Sequence, residues 1–310
     1  MSARGSKLVS LAEAASLVRD NDAITAGGFA HSHQPLAFAR ELIRQGRRGL
    51  VLMGVAECWV AEWLAAAGCL SRSYMSNFMV EGFGRCRAFS RAVEAGTLLL
   101  EDHSHFGMIS RLMAAGLGLP FMPLRSMAGS DILAREGFEP AAAKWARLAS
   151  PFGNGEAIAV SPLQPDVAVL HVARADPLGN AQLAGPNSVL EEQAAAARRV
   201  VITAEEIVET DVLRRAPEAT LVAGLMVDAV VHVPYGAHPT GVFGYYDHDA
   251  PALRAYYEAS GDAAALRDWL DGFVFAPVDH YAYLDLFGVS RLARLAVDPA
   301  LGWRQEQRHD

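Results

Sequence analysis

The amino-acid sequence predicts an α/β fold with a mainly parallel sheet covered by helices. Short, almost continuously apolar segments such as AITAGG and GLVLMG alternate with segments of helical periodicity. Buried parallel strands have this apolar character because helices cover both faces of their sheet. The stretch SPFGNGE, near residue 150, could mark a minor break, but it is neither long nor polar enough to separate two bodies. We therefore predict a single domain over residues 1–310.

The first half of the chain is predicted to begin with a helix, a strand, a glycine turn and a second helix. Ser10 and Glu13 have the spacing of a capping box in front of the helix LAEAASLVRD. Pro35 lies where the first turn of the helix PLAFARELIRQG would begin, and Gly46 would end it. The alternation continues through the strand GLVLMG, the helix AECWVAEWLAAAG, the strand RSYMS, the helix RAFSRAVEAG and the strand TLLLE.

A second series of elements follows SPFGNGE. The segments AIAVSPL, DVAVLHV, RVVIT and VDAVVHVPYG are predicted strands, and SVLEEQAAAA is a predicted helix. Ser188 with Glu191 and Thr203 with Glu206 repeat the capping-box spacing, although Thr203 also lies at the end of an apparent strand.

Composition and charge favour a cytoplasmic protein that acts on a small molecule. The net charge is -8 and no run of five or six like charges occurs, which argues against a nucleic-acid or anionic-membrane surface. The 3 cysteines form no CxxC pair, so neither a disulfide framework nor a zinc site is indicated. The first residues, MSARGSKLVS, lack the apolar run of a signal peptide, and no segment approaches the roughly 18 apolar residues of a membrane span.

The first candidate site is GGFAHSHQP, which starts at Gly27 and Gly28 and contains His31, Ser32 and His33. It follows a predicted strand and leads into a helix, which is where open α/β sheets bind ligands. The two glycines would let a thioester oxygen or a carboxylate approach the backbone. A simple strand-to-helix turn explains the pattern equally well, and the glycines lack the GxGxxG spacing of a dinucleotide site.

The second candidate site is EDHSHFG, which contains Glu101, Asp102, His103, Ser104 and His105. These groups could hydrogen-bond an acyl carboxylate or move a proton. The two acidic residues could equally cap the helix that follows.

The histidines of the two candidate sites form two HxH pairs, His31 with His33 and His103 with His105. Joined by an acidic side chain, such pairs could hold a divalent metal for hydrolysis. Pair spacing alone is weak support for a shared site. A metal-dependent hydrolase is therefore a minor alternative, and no metal site is expected.

Six stretches, in this order along the chain, resemble the A-type chain of glutaconate CoA-transferase and its relatives among the family I CoA transferases. They are AITAGGF with the proline-started helix, AGTLLLEDHS, GLGLPFMP, PDVAVLHVARADPLGNAQ, VDAVVHVPYGAHPTGVFGYYDHDAP and DHYAYLDLFGVSRL, and they cover nearly the whole chain. No stretch is decisive by itself, but the ordered set is specific.

The resemblance implies the α/β fold shared with sugar-phosphate isomerases and an active site formed between related A-type and B-type subunits. It implies that the nucleophile toward an acyl-CoA thioester is a glutamate of the B-type subunit, and this sequence contains no match to that glutamate motif. We therefore expect a hetero-oligomer with a B-type partner, no nucleophile on this chain, and coenzyme A as a substrate rather than a bound cofactor. Gly27, Gly28 and Phe29 match positions that complete the acyl pocket and stabilise the oxyanion.

The chain departs from the family pattern at two places. His33 and Gln34 stand where family members commonly have an arginine and a lysine, which bind a carboxylate more firmly. His103 and His105 stand where relatives often have a tyrosine and an amide residue. These differences point to an acyl group other than glutaconate.

Two further alternatives follow from the resemblance. Related subunits take part in the hydrolytic opening of CoA thioesters during steroid breakdown, and in such an enzyme His103 or His105 could act as acid or base. The chain could also serve only to stabilise its partner.

Overall fold

The computed structural model describes residues 5–298, 300–302 and 304. The strands of this part of the chain are β1 (Ala23–Ala26), β2 (Leu50–Met53), β3 (Leu70–Met75), β4 (Met79–Val80), β5 (Gly84–Arg85), β6 (Leu99–Asp102), β7 (Met122–Leu124), β8 (Trp145–Ala149), β9 (Glu156–Val160), β10 (Val167–Ala175), β11 (Ala181–Gln182), β12 (Arg199–Ile207), β13 (Thr220–Val222) and β14 (Ala229–His232). The α-helices are α1 (Leu11–Ser16), α2 (Leu36–Arg44), α3 (Cys58–Ala66), α4 (Arg87–Glu94), α5 (His105–Gly116), α6 (Ala141–Lys144), α7 (Leu190–Ala196), α8 (Thr210–Leu213), α9 (Ala250–Ala259), α10 (Ala263–Leu270), α11 (His280–Asp285) and α12 (Val289–Leu295).

The main sheet confirms the predicted α/β fold. Seven strands run parallel in the order β14-β12-β10-β1-β2-β3-β6. The short strand β11 pairs antiparallel with the end of β10, and β13 pairs antiparallel with β11. In the middle of the sheet, Ile24 of β1 pairs with Leu52 of β2 and with Val167 of β10. Strands from before and after residue 150 therefore belong to one sheet. That the whole chain is one domain remains a prediction.

Helices cover both faces of this sheet, which explains why its strands are apolar throughout. Along β10, Val167 and Val169 pack into the core that includes side chains of α1 to α4. The alternate residues Leu170 and Val172 pack into the core that includes side chains of α7. Successive side chains of a strand point to opposite faces, so an apolar run without alternation requires two cores.

The predicted start of α1 and the glycine after α2 are confirmed, whereas α1 ends at Ser16, four residues before the end of the predicted helix. The Ser10 hydroxyl accepts a hydrogen bond from the Glu13 N–H (3.2 Å), and the Glu13 carboxylate accepts one from the Ser10 N–H (2.8 Å). Pro35 is the N-cap of α2, and Gly46 follows the helix with a φ of 69°.

The strand predicted at AIAVSPL is present, but its assignment to the second parallel series is wrong. β9 forms the centre of a separate three-stranded antiparallel sheet with β7 and β8. Its residues alternate between buried positions, such as Ile158 and Val160, and half-buried ones. This alternation is typical of an antiparallel sheet with one covered face.

Two of the predicted capping boxes are also wrong. Thr203 lies inside β12, where its hydroxyl is 2.9 Å from Nδ1 of His171 in the neighbouring strand. α7 begins after Val189 and has no side-chain cap, because Ser188 adopts a φ of 43° that differs from the extended backbone of an N-cap residue.

Among the helices of the described residues, none is both long and apolar enough to cross a bilayer.

Candidate active site

A cavity of about 360 Å³ opens beyond the carboxyl ends of β1 and β2. Its wall is contributed by the loop after β1, the loop after β2, the first turn of α5, the segment that enters α7, and one distant loop. The lining residues are Gly28, Phe29, Ser32, His33, Val55, His105, Ile109, Pro186, Ser188, Val189, Leu190 and Phe243. The structure therefore brings His105 of the second candidate site, EDHSHFG, to a cavity that residues of the first candidate site, GGFAHSHQP, also line.

The loop after β1 requires a glycine at position 28. Gly28 has a φ of 103°, which side-chain-bearing residues rarely adopt. A Cβ atom at this position would lie 2.7 Å from both the Ser32 carbonyl oxygen and Cγ of Gln34. The turn is closed by the Phe29 N–H, which donates to the Ser32 carbonyl at 3.0 Å.

Of the three backbone N–H groups predicted to stabilise an oxyanion, two are already engaged. The Gly27 N–H donates to the Val169 carbonyl at 2.8 Å, and the Phe29 N–H donates to Ser32. The Gly28 N–H has no acceptor among the described residues. Gly27 instead allows close packing, because a Cβ there would lie 3.1 Å from Cδ2 of Leu170. Gly28 is therefore the available donor of the three.

His33 is a neutral group in the cavity wall. Its side chain is 2% exposed, and its Nε2 accepts a hydrogen bond from the Phe243 N–H at 3.3 Å. Burial lowers the pKa of His33 to about 3, and the neighbouring His171 acts in the same direction. The carbonyl groups of His171 and Ala184 act in the opposite direction but do not outweigh burial. His33 thus supplies no positive charge near neutral pH.

Gln34 does not face the cavity. Its amide oxygen accepts hydrogen bonds from the Trp59 and Val60 N–H groups, at 3.0 and 3.1 Å, in the first turn of α3. Its amide nitrogen donates to the Ala30 carbonyl at 2.5 Å. Gln34 therefore joins the loop after β1 to α3 and is not free to bind a carboxylate.

The amino-terminal end of α5 reaches the cavity. Ser104 caps this helix, because its hydroxyl accepts a hydrogen bond from the Gly107 N–H at 3.0 Å. His105 and Ile109 are one turn apart and line the cavity. The positive end of the α5 dipole and the exposed His105 ring therefore lie at its rim.

Glu101, Asp102 and His103 of EDHSHFG lie outside the cavity and contact the segment 135–145, which leads into β8. Glu101 is fully buried and accepts hydrogen bonds from the Lys144 ammonium (2.5 Å) and the Glu139 N–H (2.6 Å). Asp102 forms an ion pair with Arg135 at 2.9 Å. The third residue, His103, has a separate set of contacts.

His103 is packed between aromatic side chains. Its ring stacks on Tyr74 at 6.0 Å and lies edge-on to Trp145 at 5.7 Å, while Nε2 is 3.2 Å from the Arg111 guanidinium. Burial lowers the pKa of His103 to about 3, and the charges of Arg111 and Lys144 add to this effect. His103 is therefore not placed to act on a ligand in the cavity.

The HxH pairs do not converge on a metal site. Nε2 of His31 donates to the Glu81 carbonyl at 2.6 Å, and Nδ1 accepts from the Trp59 indole at 2.9 Å. Within the described part of the chain, no group of three or more His, Cys, Asp and Glu side chains could hold a metal ion. The geometry gives no support to the metal-dependent hydrolase.

Phe243, which the sequence-based site prediction missed, is carried by a loop that is anchored on Glu205. The Glu205 carboxylate accepts hydrogen bonds from the Tyr235 N–H (2.6 Å), the Gly236 N–H (3.1 Å) and the Tyr246 hydroxyl (2.7 Å). Glycine, proline and aromatic residues are concentrated in this loop, so its composition was a usable signal. No comparable signal marks the segment of residues 186–190.

The sequence matches the coenzyme A transferase family over residues 8–233. The chain belongs to this family. It is 34% identical over 312 residues to the A-type chain of glutaconate CoA-transferase from Acidaminococcus fermentans, covering 96% of this chain and 97% of that one. The crystal structure of glutaconate coenzyme A-transferase from Acidaminococcus fermentans has a TM-score of 0.92 and is 32% identical, covering 98% of this chain and 100% of that one. The resemblance inferred from the sequence is thereby confirmed.

Two other family relatives carry different names. The chain is 33% identical over 273 residues to the A-type chain of 3-oxoadipate CoA-transferase from Pseudomonas knackmussii, covering 86% of this chain and 93% of that one. It is 27% identical over 290 residues to the IpdA chain of the cholesterol ring-cleaving hydrolase from Rhodococcus jostii, covering 91% and 96%. Membership of the coenzyme A transferase family therefore does not by itself choose between transfer and hydrolysis.

Proposed function

We propose that this chain is the A-type component of a cytoplasmic acyl-CoA:carboxylate CoA-transferase and that it supplies the acyl cavity to a glutamate nucleophile of a B-type partner. One observation carries the proposal: among the described residues that line the cavity, none has a carboxylate or a thiol. A cavity that has a free oxyanion donor but no carboxylate needs the carboxylate nucleophile of this reaction from elsewhere. The names of the two transferase relatives, each one component of a heteromeric enzyme, agree with a second kind of chain.

In the proposed reaction the glutamate carboxylate of the partner attacks the thioester carbonyl carbon. The carbon–sulfur bond breaks, coenzyme A leaves as a thiolate, and an acyl anhydride of the glutamate remains. The thiolate then attacks the glutamyl carbonyl, which releases the first carboxylate and forms an enzyme–CoA thioester. The acceptor carboxylate reverses these two steps and leaves with coenzyme A. No permanently bound cofactor is needed.

The role of this chain is to bind the acyl group and to stabilise the negative charge on its oxygen. The Gly28 N–H and the positive end of the α5 dipole are fixed before the reaction, so they need little reorganisation as charge develops. Phe29, Phe106 and Phe243 are 44%, 55% and 43% exposed on or beside the cavity wall. Large exposed apolar side chains of this kind are typical of a surface that a partner covers.

The proposal is tested by incubating the chain, alone and co-expressed with its B-type partner, with an acyl-CoA panel and acetate. Mass spectrometry of the products should show acetyl-CoA only when the partner is present. Gly28→Ala keeps the N–H but should displace it, because the new Cβ would lie 2.7 Å from the Ser32 carbonyl oxygen. Turnover of the assembled complex should therefore fall by about 100-fold, as for loss of one oxyanion donor. Gly68→Ala is the matched control, because Gly68 has a φ of 66° and open space around its Cβ position.

A hydrolase is the second candidate, and the position of His105 favours it. This histidine lies exposed on the cavity wall, where its ring could act as a base toward water. Free coenzyme A and a water-derived acid, formed by the complex at the same rate with and without acetate, would support hydrolysis. His105→Gln should then abolish the reaction, whereas it should leave most of a transferase activity intact. Free coenzyme A produced by this chain alone would contradict its dependence on a partner nucleophile.

A further inference from the structure

We propose that the cavity accepts an apolar acyl chain, such as an aliphatic or phenyl-bearing monocarboxylic acyl group, and discriminates against acyl groups that end in a second carboxylate. This inference rests on the proposed function and names the substrate class of the same site. It comes from the chemistry of the cavity wall and from the distribution of its polar groups.

The inner end of the cavity is apolar. Val55, Val189 and Leu190 are 2%, 5% and 1% exposed, and each contributes to the cavity wall. His33, which is 2% exposed, belongs to the same lining. Close contact with aliphatic side chains favours a hydrocarbon group over a hydrated one.

Among the described lining residues there is no lysine or arginine. His33 is the buried titratable group of the wall, and burial holds its pKa at about 3, so that it is uncharged near neutral pH. The acidic Glu57, two residues after Val55, is itself buried. A terminal carboxylate at the inner end would lose its hydration without gaining a cation, and an unpaired buried charge is strongly disfavoured.

The polar lining groups are at or near the rim. His105 and Ser188 are exposed and Ser32 is half-buried, while the amino-terminal end of α5 lies beside them. This arrangement fits a thioester carbonyl at the rim and a hydrocarbon tail directed inward. The thioester carbonyl and the acceptor carboxylate would then both remain within reach of the partner's glutamate.

The size of the cavity limits the length of the tail. A volume of about 360 Å³ corresponds to roughly a dozen non-hydrogen atoms, at about 30 Å³ each as for liquid water. An acyl chain of medium length or a phenylacyl group fits this space. The relatives named for glutaconate and 3-oxoadipate, which are both dicarboxylic, are thus poor guides to the substrate of this chain.

The test compares two acyl-CoA substrates of equal chain length in the complex of this chain with its B-type partner. Hexanoyl-CoA and adipyl-CoA differ only in the terminal group, a methyl or a carboxylate. With acetate as acceptor, kcat/KM for hexanoyl-CoA should exceed that for adipyl-CoA by about 100-fold or more, because an unpaired charge is rejected more strongly than one methylene. A preference for adipyl-CoA would overturn the inference and leave the proposed transferase standing. If the complex transferred coenzyme A from neither substrate, both the inference and the proposed transferase function would be refuted.

A variant that adds a positive charge to the cavity wall tests whether the acyl chain lies in the cavity. Ile109→Arg changes a half-buried lining residue and should shift the ratio of the two kcat/KM values toward adipyl-CoA at least tenfold. Leu225→Arg is the matched control, because Leu225 is 72% exposed and outside the cavity, and it should leave the ratio unchanged. An unchanged ratio in an assembled Ile109→Arg complex would overturn the assignment of the cavity to the acyl chain.

A second substitution at the same position keeps the test decisive if the arginine variant does not assemble. Ile109→Trp narrows the cavity without adding charge. The optimum among straight-chain acyl-CoA substrates should then move to shorter chains by at least two carbon atoms, measured as kcat/KM across butyryl-, hexanoyl- and octanoyl-CoA. An unmoved optimum would count against the inference.

Discussion

Replacing Glu57 by glutamine should make the protein more stable at alkaline pH while changing its stability little at pH 4.5. The Glu57 side chain is fully buried at the start of α3, and one of its oxygens, Oε2, accepts hydrogen bonds from the Val55 and Ala56 N–H groups at 2.8 Å. The other oxygen, Oε1, has no partner among the described residues. Burial raises the pKa of Glu57 from 4.5 to about 7, and hydrogen bonds from the backbone only partly offset this rise.

The magnitude follows from the difference between the pKa values of the folded and unfolded states. Between pH 4.5 and about 7 the folded protein holds a proton on Glu57 that the unfolded chain has released. The contribution of this proton to stability is complete below pH 4.5 and is lost as the pH rises through 7. At 1.36 kcal/mol for each pKa unit, the loss is about 3 kcal/mol. Glutamine cannot ionise, and its amide oxygen can accept the same two hydrogen bonds, so Glu57→Gln avoids this loss.

The measurement is urea unfolding of the wild-type protein and the Glu57→Gln variant at several pH values from 4.5 to 8.5. The free energy of unfolding of the variant minus that of the wild type should increase by about 3 kcal/mol between the lowest and the highest pH of this range. Glu218→Gln, at an exposed position, is the control and should give a difference that varies little with pH. A flat difference for Glu57→Gln would refute the argument, because Glu57 would then ionise at the same pH in both states.

Three further substitutions test polar contacts that stabilise the fold. Lys144→Met should lower the free energy of unfolding by about 3–5 kcal/mol, because it leaves the Glu101 carboxylate buried without its cation, and adding Glu101→Gln should restore most of the loss. Glu205→Ala should cost at least about 3 kcal/mol, since several buried donors, including the Tyr246 hydroxyl, lose their acceptor. Ser10→Ala should cost about 1 kcal/mol through loss of the α1 cap. Chemical denaturation measures all three, and losses below about 0.5 kcal/mol would contradict the assigned contacts.

Local patterns determined most of the secondary structure. The alternation of apolar strands with helices predicted the parallel sheet, and the spacing of Ser10 and Glu13 predicted the start of α1. The same spacing failed at Thr203, because a residue inside a buried strand binds its neighbour in the sheet instead of capping a helix. Capping patterns depend on where the flanking strand ends, and that end was set by pairing with β10 and β14.

By itself, the sequence of this protein determined the fold class, the family resemblance and the position of the loop that begins at Gly27. These features follow from short-range patterns and from the order of motifs along the chain. Only the tertiary structure decided which polar residues face the cavity. Glu101 is paired with Lys144, 43 residues away, and Gln34 binds the start of α3, 25 residues away. A buried polar group takes the partner that long-range packing brings to it, and spacing along the chain does not encode that choice.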